Sequence, residues 1–87
     1  PNESGPWLGL AGTLGRRGEL DLADRAYGAA FEAEPTNAQI LWDRATNLRQ
    51  AGKVAEAKKH YRQLAEGKWQ PRFNWLQTQA RWQVERP

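Results

Sequence analysis

The sequence contains no cysteine, which excludes both a disulfide framework and a thiolate metal site. The redox compartment is therefore not marked by thiol usage. Methionine is absent too, and the first residue is Pro1, so we expect a piece of a longer protein. A targeting segment, if there is one, would lie in the missing part. No run of about 18 apolar residues occurs, so no stretch has the pattern of a membrane-spanning helix. Nothing reads as a strand, and no Gly-rich phosphate loop follows one. Histidine occurs once, at His60. No Glu/His pair at helical spacing offers a metal site, and no nucleophile or carboxylate partner equips His60 for catalysis. Lys58, Lys59 and Arg62 around it place His60 on the solvated side of a helix. We therefore expect no enzyme activity, no cofactor and no metal.

The charge that is present is unevenly spread. Thirteen basic and ten acidic side chains give +3 overall. Residues 1–43 hold three basic and seven acidic groups, or −4, whereas residues 44–87 hold ten basic and three acidic groups, or +7. Such polarity can steer an acidic partner to the C-terminal half, and the plainer reading is a solvated surface. Lys53, Lys58, Lys59, Arg62 and Lys68 invite a nucleic-acid reading, but interleaved free aromatics and a known motif are missing, so nucleic acid is disfavoured as a partner.

The organising signal is self-similarity. A shift of 34 residues brings Trp7 onto Leu41 and Trp75, Ala11 onto Ala45, and Leu14 onto Leu48 and Trp82. The same shift brings Gly18 onto Gly52, Leu20 onto Val54, Ala23 onto Ala57, Tyr27 onto Tyr61 and Ala30 onto Leu64. Helix-stop glycines at Gly18, Gly52 and Gly67, capping by Thr36 or Asn37 after Pro35, and acidic residues Glu19, Asp21 and Asp24 early in the second segment predict helices near 6–16, 20–33, 38–50, 54–66 and 71–85. Connections of two to five residues make consecutive helices antiparallel. Ala11, Ala23, Ala45 and Ala57 are expected at the tight crossings, with Tyr27 and Tyr61 filling the wider gaps. Each hairpin leaves an apolar face bare until another stacks on it.

These residues resemble the tetratricopeptide repeat family. The first unit carries Trp7, Leu10, Ala11, Leu14, Gly18, Ala23, Tyr27, Ala30 and Pro35. The second carries Leu41, Ala45, Leu48, Gly52, Ala57, Tyr61 and Leu64, and departs from the pattern at Arg44 and Trp69. The resemblance implies an all-α fold of antiparallel helix-turn-helix repeats in a short right-handed superhelix. The expected units are 1–35, 36–69 and a capping helix in 70–87, where Trp75 and Trp82 would cover the last hairpin and the stack would stop. The N-terminal end reads as open to earlier repeats.

The resemblance also implies a concave face, made by the first helix of each pair, that holds a peptide or a partner segment. The residues projected there include Arg16, Gln39, Trp42, Thr46, Arg49, Phe73 and Leu76, with Gln77 as a further polar contact. Trp42 leads this set, because its neighbour Leu41 takes the core slot and an exposed Trp resembles a binding hot spot. The alternative is that Trp42 packs on the Arg16 stem or on Phe73. One branch of the family grips acidic chaperone tails with a Lys/Asn/Arg clamp. The matching positions here are Leu8, Gly12, Asp43, Phe73 and Gln77, so no clamp of that kind is expected. Finally, Gly5, Gly9 and Gly12, with Leu8, form a stripe suited to close approach of another helix or a second copy. Otherwise the stripe is simply a weak first helix. A purely structural role, as the terminal cap of a longer solenoid, is the competing reading of the whole chain.

Overall fold

The computed structural model describes residues 3–86; Pro1, Asn2 and Pro87, at the outer limits of the first and last expected units, lie outside it. Five α-helices follow one another: α1 (Gly5–Arg16), α2 (Leu20–Ala33), α3 (Ala38–Gln50), α4 (Val54–Glu66) and α5 (Asn74–Glu85), the last preceded by a 3-10 turn at Pro71–Phe73. Each helix packs on the next, α3 also touches α5, and no strand occurs among the described residues. The fold is an all-α stack of consecutive helix pairs.

Local chemistry sets the boundaries. At the ends of α1 and α3 the chain turns through Gly18 and Gly52, at φ 79° and 82°. Glu19 N–H donates to Leu14 O at 2.9 Å, and Lys53 N–H donates to Leu48 O at 2.9 Å. The left-handed residue thus lets the chain fold back and satisfy the last carbonyls. A Cβ at that φ costs roughly 1–2 kcal/mol. Gly18→Ala and Gly52→Ala should each destabilise the fold by about that amount, measured by urea unfolding. Asn37, rather than Thr36, caps α3, its side-chain oxygen accepting from Gln39 N–H at 3.0 Å.

Gly67 corrects the expectation of a third left-handed stop, since its φ is −75°. A Cβ there would lie 2.6 Å from Trp69 Nε1 and 2.9 Å from Gln63 O, so glycine is required for close approach, not for handedness. Two side chains cap the end of α4 instead. The Trp69 indole donates to Leu64 O at 2.9 Å, and the Gln77 amide donates to Gly67 O at 2.8 Å and Leu64 O at 3.2 Å. Trp69, which breaks the repeat pattern, therefore satisfies a carbonyl that the helix itself leaves bare.

Ala11, Ala23, Ala45 and Ala57 are all buried, as the 34-residue shift requires. The largest apolar cluster joins Leu41, Ala45 and Leu48 of α3, Ala57, Tyr61 and Leu64 of α4, and Phe73, Leu76 and Ala80 around α5. Arg44, the other departure from the pattern, ties α3 to α2: its Nε donates to Asp24 Oδ1 at 2.8 Å and its Nη2 donates to Oδ2 at 3.3 Å. The guanidinium lies against the bare backbone of Gly28, where a Cβ would sit 3.3 Å from it.

The periodicity fails in α5. Trp75 and Trp82 fall in the slots of the buried Leu41 and Leu48, yet each is 63% exposed. The inward residues are Phe73, Leu76 and Ala80. One residue step turns a helix by about 100°, so burying Leu76 in place of Trp75 swings both tryptophans outward. The 34-residue slot opposite Ala45 holds Gln79, whereas Ala80 supplies the small side chain. The expected covering of the last hairpin is therefore made by Phe73, Leu76 and Ala80, not by the two tryptophans.

Candidate functional site

Two cavities open along α3, one on each side of a shared wall. The first, about 300 Å³, is lined by Gly12, Gly15 and Arg16 of α1, Tyr27 of α2, and Asp43, Thr46, Asn47 and Gln50 of α3. Glycine at positions 12 and 15 leaves Arg16 as the side chain of the α1 wall, its Nη1 3.5 Å from where a Cβ at Gly12 would sit. Asn47 is buried and donates to Leu20 O at 3.0 Å, a tie between α3 and the start of α2. Asp43 is half-buried, and the Gln39 amide donates to it at 3.0 Å. Burial pushes its carboxyl above the ordinary range, opposed by that amide. The Tyr27 phenol is pushed up as well, by burial first and the Asp43 charge second.

The second cavity, about 210 Å³, lies where the end of α3, the start of α4 and the end of α5 meet. Val54, Ala57 and Tyr61 give it an apolar floor, and Arg49, Lys58 and Arg86 surround it with Gln83. No carboxylate lines it. The Lys58 ammonium donates to Arg86 O at 2.9 Å, which holds the end of α5 against α4. The wall between the cavities is the Thr46–Tyr61 hydroxyl pair, 2.9 Å apart. Trp42 braces it, its ring meeting Tyr61 edge-on at 5.1 Å between centroids.

The residues expected on the concave face divide into three groups. Arg16, Gln39, Thr46 and Arg49 lie in or beside the cavities, with Arg16, Gln39 and Arg49 exposed. Trp42 is partly buried against the core cluster rather than standing free, so the expected exposed anchor is a supporting wall. Phe73 and Leu76 are core residues, 7% and 1% exposed, and the Gln77 side chain is committed to the α4 carbonyls. Phe73 and Leu76 present no free surface to a ligand, and the Gln77 amide nitrogen is already in use. Along the glycine stripe, a Cβ at Gly5 or Gly9 would meet nothing within 4 Å, and one at Gly12 would meet only Arg16. Among the described residues no helix packs on the stripe, and Leu8 beside it is half-buried.

His60 also departs from expectation. It is half-buried, and its Nδ1 is buried with no hydrogen-bond partner. Its pKa is held below 6.5, chiefly by burial and then by the Arg44 charge, with Asp24 and Gln63 opposing and Lys59 adding slightly to the lowering. The fold therefore favours neutral imidazole, and the unfolded chain binds more protons once pH drops below about 6.5. Thermal stability should fall as pH is lowered from 7 toward 5.5, and His60→Gln should flatten that slope. Asp43 has the opposite sign. Its raised carboxyl pKa means that stability is lost as pH rises through the folded value, so Asp43→Asn should raise the melting temperature at pH 7.

Sequence reasoning missed Lys58, Val54 and Arg86 as cavity residues. Val54, Lys58 and Tyr61 fall at i, i+4 and i+7, one face of a helix, so that part was readable. The convergence of Arg86 on them depends on the path between α4 and α5. Among the described residues, no cluster of His, Asp and Glu could hold a metal ion, and no helix is long and apolar enough to cross a membrane. Comparison with protein-family models, curated proteins and solved structures returned no significant match.

Proposed function

We propose that the chain is a tetratricopeptide-type interaction module that holds a peptide segment of a partner protein along α3. The family reading is supported by buried alanines recurring at 34 residues and by the left-handed glycines that close α1 and α3. The binding reading rests chiefly on one observation: two cavities of unlike polarity adjoin along α3, Thr46 of one pairing at 2.9 Å with Tyr61 of the other. An extended peptide advances about 3.3 Å per residue, so a short segment can cross that wall and place side chains in both. Selection of peptides from a random displayed library, repeated with Thr46→Arg to obstruct the wall, tests this. Enrichment should occur with the native chain and vanish with the variant. Failure to enrich any peptide would remove the reading. Trp42→Ala is less clean, because Trp42 also packs on the core.

A second reading, a structural element that stacks on further helices, draws on the exposed Trp75 and Trp82 of α5 and the exposed Trp7 and Leu10 of α1. If copies of the chain stack on one another, sedimentation velocity should show concentration-dependent association that Trp75→Ser/Trp82→Ser abolishes. A monomer at high concentration excludes self-stacking.

A further inference from the structure

We infer that the second cavity is a receptor for an acidic, aliphatic stretch of the partner peptide: one aliphatic side chain on the Val54–Ala57–Tyr61 floor, flanked by carboxylates on Arg49, Lys58 and Arg86. This deepens the peptide-binding reading and rests on it.

Three observations carry the inference. The first is the charge of the lining. Arg49 of α3, Lys58 of α4 and Arg86, the residue just after α5, line one cavity and no carboxylate does, while the Arg86 guanidinium lies over the Trp82 ring, 5.5 Å from its centre. Neither ion pair of the described residues uses them, since those are Arg44–Asp24 and Lys53–Asp21. Arg49 is exposed and makes no side-chain hydrogen bond among the described residues, so its guanidinium is free to take a carboxylate in a two-pronged contact. Lys58 spends one of its three donors on Arg86 O and keeps two.

The second observation is the floor. Val54, although apolar, is 52% exposed, whereas Ala57 and Tyr61 are buried. An entering aliphatic group would therefore cover Val54 and rest on an already fixed surface. The volume, about 210 Å³, suits one branched side chain and part of its backbone, not a large ring system.

The third is the gradient along the groove. The neighbouring cavity contains the half-buried Asp43 carboxyl, with Gln39 as its only hydrogen-bond donor among the described residues. That cavity also holds Arg16, so it presents charges of both signs, whereas the second presents cations with no carboxylate beside them. This fixes which end of the groove takes the acidic part, and it makes the site distinct from a uniformly basic patch that would accept any polyanion.

The test uses the full chain, a fluorescein-labelled peptide of alternating glutamate and leucine, and fluorescence anisotropy. The peptide should bind, with affinity falling at least tenfold for Arg49→Glu, tenfold when glutamate is replaced by glutamine, and several-fold when leucine is replaced by serine. Raising salt should weaken binding, because the contacts at the rim are exposed and screened. Arg49→Glu should leave the melting temperature within a few degrees of native, since Arg49 supports no packing; Lys58→Gln gives a second, milder variant. Absence of binding, indifference to Arg49→Glu, or tighter binding of a single-stranded oligonucleotide would each overturn the inference. The displayed library separates this from failure of the broader reading. Enriched peptides that are neutral or basic contradict the acidic assignment while leaving peptide binding intact, and no enrichment at all removes both.

Discussion

Ala57→Leu is expected to destabilise the domain by about 3 kcal/mol, toward the upper end of the usual cost of overpacking. Ala57 is 1% exposed and lies in the cluster formed by α3, α4 and α5. Leucine adds three carbons at a crossing where the partner helix also presents a small residue, Ala45, which is 0% exposed. Neither backbone can retreat without opening the contacts of Leu41, Leu48 and Leu64. For a chain of this size, each kcal/mol corresponds to roughly 4–8 °C in melting temperature, so a fall of about 12–24 °C should be seen by circular dichroism. Ala23→Leu should behave alike, because Ala23 occupies the same place one period earlier and is 0% exposed. The control is Ala55→Leu. Ala55 lies on the same helix but is exposed, and its replacement should change stability by no more than about 0.5 kcal/mol.

Leu76→Ala should cost about 2–5 kcal/mol, the range for truncating a buried leucine. Trp75→Ser and Trp82→Ser should each lie within about 0.5 kcal/mol of native. The contrast decides the rotation of α5. A strict 34-residue repeat puts the tryptophans in the slots of Leu41 and Leu48 and requires their loss to be severe. The structure gives Leu76 an exposure of 1% and each tryptophan 63%. Equilibrium unfolding of the three variants measures the difference, and equal losses at Trp75 and Leu76 would contradict the rotation described here.

The helices themselves were legible because their ends carry local signals. Gly18, Gly52 and Asn37 specify a turn or a cap without reference to the rest of the chain, and the small–large alternation at Ala11, Ala23 and Tyr27 repeats at Ala45, Ala57 and Tyr61. The orientation of α5 was not legible. Phe73, Trp75, Leu76, Trp82 and Val84 put apolar groups on more than one side of the helix, so periodicity does not choose among its faces. The choice is made by packing against α4, where Ala80 fits a tight crossing and Gln79 does not. Gln77 and Trp69 gave no sign of capping α4, because their targets are backbone carbonyls that any sequence has. His60 looked solvated from its basic neighbours in the chain, yet its surroundings include Arg44 and Asp24 from other helices.

Much the same holds for the candidate site. Thr46 and Arg49, projected onto a concave face, each line one of the two cavities, while Trp42 was expected to be free. A residue next to a core position on a helix is turned only about 100° away, and here that direction still meets Tyr61. Lys58 and Arg86 come together only because α5 folds back along α4, a relation between residues 28 apart that no local pattern encodes.

Heteronuclear NMR of the full chain, during titration with peptides enriched from the displayed library, tests the groove most directly. The five tryptophan indoles sample different surfaces: Trp42 braces the groove wall, Trp69 caps α4, Trp7 lies on α1, and Trp75 and Trp82 lie on the outer side of α5. Saturable shifts are expected for the Trp42 indole and for the Thr46 and Arg49 amides, with the indoles of Trp7 and Trp75 unmoved; the Trp82 indole, over which Arg86 lies, should move with them. Shifts confined to Trp75 and Trp82, with Trp42 and Thr46 silent, would place binding on the outer face of α5 and contradict it.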